Sequence, residues 1–544
     1  MRFHPANSFA RKPAKFRLYL SLIAALRERV LTVRAKHFKE GVFIANGGAV
    51  WFETERIASD GGLVEGATPE CRGPRQVLAY QRAQDELLSQ AARAAPVDGE
   101  LRLIKNCRDS RDNVYGAQEN YEAILAGGFR LMLWRAGLIM LLPVVLVMWA
   151  CLLAVIISVF IYLAVAGLAY LIIRLLVKRH RRIGVFLFGR DLIEGQETGA
   201  PLPAWMEWLM LWIARLISAP LAIGLILLAR LTAFREIRSQ ALALLVSRSV
   251  IAGSGMVDRE GNFHLADKAP AINCIVGFGG YLWDRPIFNF GHFFKAVSLE
   301  SFLAPGDYFG LLRERQRLQI GLGDSNMSEK AEFLRIGTTL LVLDAIEAGQ
   351  LKNAPRLRRP IRALHQICAD PSLSIEVDLV GGRRVTALDL QRYYLDACQR
   401  FVDTRPDAPA QAYEVLATWA DTLDSLERSP ESLVGSVDWV TKRFLLEKAG
   451  HDAQWAERKK IDIRYHELSD EGYFHVLAQT GLTETLVDDD EVDRATRTAP
   501  PNSPATTRGH YIREFAGGDE PFAVNWKRIL IGRGKKAKVI RLYR

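Results

Sequence analysis

Four polar clusters in this chain carry residue types that bind cations, phosphates or acyl groups. The first, VWFETERIASDGGLVEGATPEC (50–71), holds Glu53, Glu65 and Glu70. Carboxylates on neighbouring strands can converge on Mg²⁺, which takes oxygen ligands and keeps several waters and phosphate oxygens; solvated surface glutamates would read the same. The second, IKNCRDSRDNVYGAQENYEA (104–123), places Lys105, Asn106, Asp109, Tyr115, Gln118, Glu119 and Asn120 around Gly116. That density suits a ligand-facing turn as well as a solvated loop. The third, GLGDSNMSE (321–329), sets Asp324, Asn326 and Glu329 between a strand and a helix. Backbone N–H groups there favour an anion, although Asp324 or Ser325 as a plain helix cap gives the same pattern. In the fourth, TTRGHYIREF (506–515), Arg508 can face a phosphate or an acidic substrate.

The elements that must position these groups are short strands and amphipathic helices. GVFIAN, AVWFET and LRLIKN read as strands, and PRQVLAYQRAQDELLSQAARAA as a helix. LRLQIGLGD reads as a strand entering a polar turn, and FLRIGTTLLVLDAIEAG as a helix stopped at Gly349. Residues 385–450 are largely helical, and the proline-rich APPNSPATT (499–507) precedes the β-like FAVNWKRILIG. Strands and helices without regular βαβ alternation predict an α+β fold with a largely antiparallel sheet.

From Ala136 to Ile173 there is no charged side chain, in mid-sequence. Those 38 residues would reach about 57 Å as a helix, nearly twice a bilayer's hydrocarbon layer. Two short spans with a turn near Cys151–Ser158 fit that length. The basic run Lys178, Arg179, Arg181, Arg182 and, at the other end, Arg130 and Arg135 keep both ends cytoplasmic. A second apolar stretch, 205–234, is broken by Glu207, Arg215 and Pro220 and carries Trp205, Trp208 and Trp212, which suits a helix in the interface. One crossing by each block, or a buried helical hairpin in a soluble domain, are the alternatives.

Lys and Arg total 71 against 61 Asp and Glu, and the excess sits in local clusters. Beside an apolar block such clusters suit anionic lipid; no nucleic-acid motif accompanies them, which argues against nucleic acid. Six cysteines lack C-x-x-C pairing or metal spacing and read as thiols of a reducing compartment. The basic N-terminus has no signal-peptide core, so the expected location is the inner (cytoplasmic) membrane, with the catalytic part facing the cytoplasm.

Taken in order, IANGGAVWFE, EGATPEC, LIKNCRDSRDNVYGAQENY, LLVSRSVIAGSGMV, GDSNMSEKAEFLRIGTTLLVLDAIEAG, VDWVTKRFLLE, IDIRYHEL and APPNSPATTRG resemble the Pup ligase and Pup deamidase/depupylase family, PafA and Dop. IRALHQICADPSL and ALDLQRYYL look closer to the deamidase/depupylase branch. The resemblance implies a glutamine-synthetase-like curved antiparallel sheet with helices, cradling ATP and Mg²⁺, plus a small C-terminal domain and, here, an inserted transmembrane segment. The expected division is 1–129 with 235–475 as catalytic domain, 130–234 as membrane insert and 476–544 as C-terminal domain. Carried over by position, Glu53 falls on a catalytic aspartate, and Glu65, Glu70 and Glu119 on metal ligands. Lys105, Asn106, Asp109, Gln118, Asn120, Arg285, Asp324, Asn326 and Arg508 fall on nucleotide-holding positions. Implied partners are Pup or a Pup-like modifier and its conjugates, the bilayer, and proteasome components.

The departures bear on activity. Glu53 replaces aspartate, and an extra methylene moves a carboxylate by about 1 Å, a misplacement that can cost about 10²-fold. Gln118 stands for a histidine and cannot titrate near neutrality. RPIFNFGHFF (285–294) replaces a nucleotide-holding Thr-Arg-Asp-Glu-Pro-His stretch, leaving Arg285, Asn289 and His292. The family's opening Gly-x-Glu-x-Glu strand has no counterpart, which gives the expectation that Met1 is internal to a longer native protein. An upstream sequence without that strand would remove the expectation. Three readings stand: an ATP- and Mg²⁺-dependent deamidase/depupylase, a ligase, and a membrane scaffold that has lost turnover.

Overall fold

A computed structural model describes the chain except residues 7–12, 36–39, 55–61, 110–111, 178–179, 196–201, 280–283, 298–305, 451, 535–536 and 544. The expected basic anchors Lys178 and Arg179 thus lie outside the described residues. The fold mixes helices and sheets and groups into two units by contact. One comprises Met1–Ile104, Val155–Ile213 and Val487–Arg544, the other Lys105–Ala154 and Ala214–Leu486.

In the first unit, Thr32–Arg34, Gly41–Ile44, Ala49–Glu53 and Leu63–Ala67 form an antiparallel sheet. The C-terminal strands Phe522–Val524, Arg528–Ile531 and Lys538–Arg541 form a three-stranded meander. That meander shares a core with the sheet: Val524, Ile529 and Ile531 are buried with Phe43, Ala45, Ala49 and Ile512. The strand Arg2–Pro5 pairs with Gly99–Arg102 and carries no acidic side chain.

In the second unit, Cys274–Gly277 runs parallel to Pro286–Asn289, and Arg315–Ile320 and Glu119–Ile124 continue the sheet antiparallel. The sheet content is therefore several small sheets with one parallel pair, where a single largely antiparallel sheet was expected. Helix Glu329–Glu347 follows Arg315–Ile320, as its periodicity predicts, and Gly349 takes a left-handed φ of 69° just beyond it.

The turn expected at Cys151–Ser158 is absent. Gly128–Leu176 is one helix of 49 residues, about 73 Å long. No glycine or proline falls between Pro143 and Gly167, so nothing in the backbone breaks it. The second apolar block is also one helix, Ala204–Thr232, with Pro220 inside. By length and composition alone both are able to cross a membrane. Within the second unit, Gly137 packs on the Leu228 side chain and Gly224 on that of Leu141, so the two helices run antiparallel there. Trp134, Leu138, Val145 and Met148 are buried. Trp134 Nε1 donates to Leu311 O at 2.7 Å and Trp149 Nε1 to Val297 O at 3.0 Å, and the Trp134 ring lies 5.1 Å from Phe293.

Candidate active site

The polar turn after Arg315–Ile320 is built from the inside. Asp324 is buried, and its Oδ2 accepts from Ser254 N (2.9 Å), Ser254 Oγ (2.9 Å) and Asp267 N (2.8 Å), its Oδ1 from Lys268 N (3.0 Å). Four donors occupy this carboxylate, three of them on Oδ2, so Asp324 ties two distant segments to the turn. Asn326 Nδ2 donates to Ala252 O at 3.2 Å, while its buried Oδ1 is unpartnered. The helix cap is Ser328, whose side chain accepts from Ala331 N, and neither Asp324 nor Ser325. Ser325 N donates instead to Cys107 Sγ at 3.2 Å.

Strand Glu119–Ile124 alternates its faces, which separates the neighbours of the second motif. Glu119 is buried and gripped by Arg248, with Nη1 to Oε2 at 2.9 Å and Nη2 to Oε1 at 2.6 Å. Arg335 Nη1 lies 2.9 Å from Oε1, and the Tyr121 hydroxyl donates to Oε2 at 2.7 Å. Burial pushes the Glu119 carboxyl up, but the two guanidinium groups and the hydroxyl outweigh it and hold the group below the usual carboxylate range. Glu119, expected on metal, is thus held in this structure by Arg248 and Arg335.

Gln118 and Asn120 are exposed on the other face. Gln118 Oε1 accepts from Gln319, and Asn120 Oδ1 accepts from Arg317 Nε at 2.7 Å. Asp109 closes its own turn, accepting from Asn113 N and Nδ2 and from the Tyr115 hydroxyl at 2.9, 2.8 and 2.8 Å. Asn106 Nδ2 donates to Arg108 O, and Lys105 N to His466 O at 2.9 Å. Arg285 is exposed, its Nη1 3.4 Å from Val114 O. Asn289 Oδ1 receives Gly291 N at 2.9 Å.

Beneath the turn lies a buried polar cluster that reading the sequence passed over. Lys442 and Lys459 flank Asp462 at 2.6 and 2.7 Å. Asp438 accepts from Met327 N (2.9 Å), Ser328 N (3.1 Å) and the Tyr465 hydroxyl (2.8 Å). His466 is buried with both ring nitrogens unpartnered, and burial beside Lys442, Lys105 and Lys459 keeps it neutral. The only signal was the charges within VDWVTKRFLLE and IDIRYHEL, which read equally well as solvated helix faces.

In the first unit, Trp51 and Glu65 are directly paired across the strands, as are Glu53 and Leu63. Glu53, Trp51 and Glu65 therefore share one sheet face, with the two carboxylates diagonal to each other. The Trp51 indole donates to Glu65 Oε2 at 3.0 Å. Glu70 and Arg508 have found each other. Arg508 is fully buried, with Nη2 and Nη1 on the Glu70 carboxylate, Nε donating to Gly47 O at 2.9 Å, and its guanidinium 4.5 Å from the Trp526 ring. The Tyr543 hydroxyl donates to Glu70 as well. Glu70, expected on metal, and Arg508, expected on nucleotide, are joined here in a buried clamp.

Among the described residues no three His, Cys, Asp or Glu stand close enough to hold a metal ion. Of the carboxylates expected on Mg²⁺, Glu70 and Glu119 carry arginines in this structure.

A family model of Pup-ligase proteins matches residues 19–530. The Pup deamidase/depupylase of Mycolicibacterium smegmatis is 34% identical over 318 residues, 57% of this chain and 60% of that protein. Pup–protein ligase 1 of Rhodococcus erythropolis is 31% identical over 316 residues, 55% of this chain and 65% of that one. The matched stretches thus span less than two thirds of those relatives. Two solved structures share the fold. The ligase PafA in complex with Pup has a TM-score of 0.65 at 18% identity, covering 99% of this chain and 86% of that one. PafA with ADP gives 0.60 at 19%, covering 99% and 92%. With the family model running over nearly its whole length, the chain belongs to the Pup-ligase protein family.

Proposed function

We propose that this chain is a membrane-tethered, ATP-dependent amidohydrolase of the Pup deamidase/depupylase type. It would hydrolyse the C-terminal glutamine amide of Pup or a Pup-like modifier, or the isopeptide bond of its conjugates. The observation that carries this reading is the diagonal pair Glu53 and Glu65 on one sheet face. Hydrolysis of an amide needs a carboxylate positioned to take a proton from water at the reacting carbonyl, and Glu53 is at the family position of that group. Glu65, oriented by Trp51, would hold the polar environment beside it. ATP as co-substrate is supported by the ADP complex of PafA, and Pup as partner by the Pup complex of PafA. Hydrolysis over ligation is favoured by IRALHQICADPSL and ALDLQRYYL and by 34% against 31% identity. The glutamine-synthetase-like body would face the cytoplasm from the inner membrane, and the two long apolar helices support that tethering. Magnesium would need ligands beyond Glu70 and Glu119, and proteasome components remain partners by analogy.

A second reading, a scaffold without turnover, is favoured by the arginines on Glu70 and Glu119. Mass spectrometry separates the two. The detergent-purified chain is incubated with ATP, Mg²⁺ and Pup ending in glutamine. Conversion to glutamate, lost in Glu53→Ala, supports hydrolysis. An isopeptide bond formed from Pup ending in glutamate would replace it with ligation, and nucleotide binding without either product would leave the scaffold.

A further inference from the structure

At their Gly128 and Thr232 ends the two apolar helices carry a set of arginines. Gly137 packs on Leu228 and Gly224 on Leu141, so the antiparallel register sets Arg135 level with Arg230. The same register sets Arg130 level with the turn that follows Thr232. Phe234 makes that turn with a left-handed φ of 50°, which a bulky residue holds only when its surroundings fix it. Here they do: its N–H donates to Leu125 O at 2.6 Å, and its ring packs on Phe290 and Phe293. The chain doubles back into the short helix Arg235–Gln240 and returns Arg238 to the helix end. There its Nη2 donates to Arg230 O at 2.8 Å.

Five cations thus gather at one end of the helix pair. Among the described residues no carboxylate pairs with Arg130, Arg135, Arg230, Arg235 or Arg238, and Glu236, the acid between the last two in sequence, joins none of them. Elsewhere the surface pairs its arginines: Arg315 with Glu347, Arg392 with Asp424 and Glu427, Arg464 with Glu471. Burial, and then the charges of Arg235 and Arg230, draw the Arg238 guanidinium down to about 10. Its Nε is buried without a partner. Like charges held together repel, and an external anion removes that cost.

The flanking surface says which anion. Ile139 and Leu227 are exposed one turn beyond Arg135 and Arg230, and Met140, Leu146, Val147 and Ile223 continue the exposed apolar surface. A ligand that meets both features carries an anionic head and a hydrocarbon body. We propose that Arg130, Arg135, Arg230, Arg235 and Arg238 form a headgroup site for an anionic phospholipid at the base of the two apolar helices. Its phosphate oxygens would take the guanidinium forks, which suit bidentate contact, while acyl chains lie along Ile139 and Leu227. Basic clusters beside a membrane helix recognise anionic headgroups in this way. The site rests on the membrane-tethered reading and adds a lipid preference to it.

The test is thermal denaturation of the full detergent-purified chain with short-chain phosphatidylglycerol, short-chain phosphatidylcholine or inorganic phosphate. The expected result is a saturable rise in Tm with phosphatidylglycerol alone. Arg230→Gln combined with Arg235→Gln should leave the lipid-free Tm unchanged or higher, since a repulsion is removed. It should weaken phosphatidylglycerol affinity about fivefold for each arginine lost. Arg356→Gln combined with Arg359→Gln, the same loss of charge at exposed positions elsewhere in this unit, should leave that affinity intact. An equal rise with phosphatidylcholine or with inorganic phosphate, or undiminished affinity in the Arg230 and Arg235 double variant, overturns the site. No rise with any of the three, in a chain that still needs detergent to stay monodisperse, removes the headgroup site and keeps the tether. A chain that is monodisperse without detergent and answers none of them removes both.

Discussion

Glu119 and Arg248, 129 residues apart in sequence, close on each other as a two-pronged buried ion pair, and the whole apolar insert lies between them in the chain. Arg248 also donates to Leu322 O and Thr339 Oγ1, both at 2.6 Å. One guanidinium thus joins the strand before the insert, the GDSN turn and the helix that follows it. Removing one partner strands the other in a dry site, so Arg248→Ala should cost about 3–5 kcal/mol. The folded carboxyl sits below its ordinary value, so its contribution is present above the unfolded value and is lost as pH falls through the folded one. Chemical denaturation at neutral pH should therefore show the full deficit, and the gap to wild type should narrow in acid. A deficit that is unchanged in acid would argue against the ion pair as its source.

The Arg508–Glu70 clamp makes a different expectation testable. If Arg508 serves the fold, Arg508→Lys should lower Tm strongly, because lysine cannot reproduce the fork or the stacking on Trp526. At a temperature where the variant stays folded, its ATP affinity should match that of wild type. A large affinity loss with an unchanged Tm would return Arg508 to the nucleotide.

Much of the element pattern was legible, because it is local. The strands at Gly41–Ile44 and Ala49–Glu53 and the helices Pro74–Arg93 and Glu329–Glu347 announce themselves through apolar spacing and flanking turn residues. Partnership was not legible. Glu70 and Arg508 are 438 residues apart, and nothing in a glutamate's neighbours tells whether it will meet a cation of the fold or of a ligand. The GDSN turn was recognised as special, yet Asp324 acts inward on Ser254, Asp267 and Lys268. The long helix was misread as a hairpin because its length was judged against a bilayer alone. Trp134 and Trp149 show that part of that apolar surface belongs to the protein's own core.

Asp438 gives the clearest pH signature. Burial pushes its carboxyl up to about 6, although the Met327 and Ser328 amides, the Tyr465 hydroxyl and Lys442 pull the other way. The folded state therefore holds this proton more tightly than the unfolded one. Its contribution is full below the ordinary carboxylate value and is lost as pH rises through the folded value. About two pH units of difference correspond to about 3 kcal/mol. In Asp438→Asn that loss should vanish, so the variant should lose least, relative to wild type, above about pH 6. Denaturant midpoints at acid and neutral pH, compared between the two proteins, read it directly; parallel pH curves would remove Asp438 from the account.

Trp134 decides whether the membrane segment is detachable. The side chain is fully buried, lies tilted against the Phe293 ring and donates to Leu311 O, and Leu138, Val145 and Met148 continue its stripe along the same helix. Truncating such a side chain to alanine typically costs about 3–5 kcal/mol. Excising residues 130–234 would remove the whole stripe and expose what it covers. That excision should give an aggregated product, whatever detergent is absent or present. Joining Ala154 directly to Ala214 keeps Gly137 on Leu228 and Gly224 on Leu141, and it should retain a cooperative unfolding transition. The two deletions, compared by size-exclusion chromatography and thermal denaturation, separate the roles of this helix. Aggregation of both, with Trp134→Ala as stable as wild type, would mean that the first half of the helix serves only lipid.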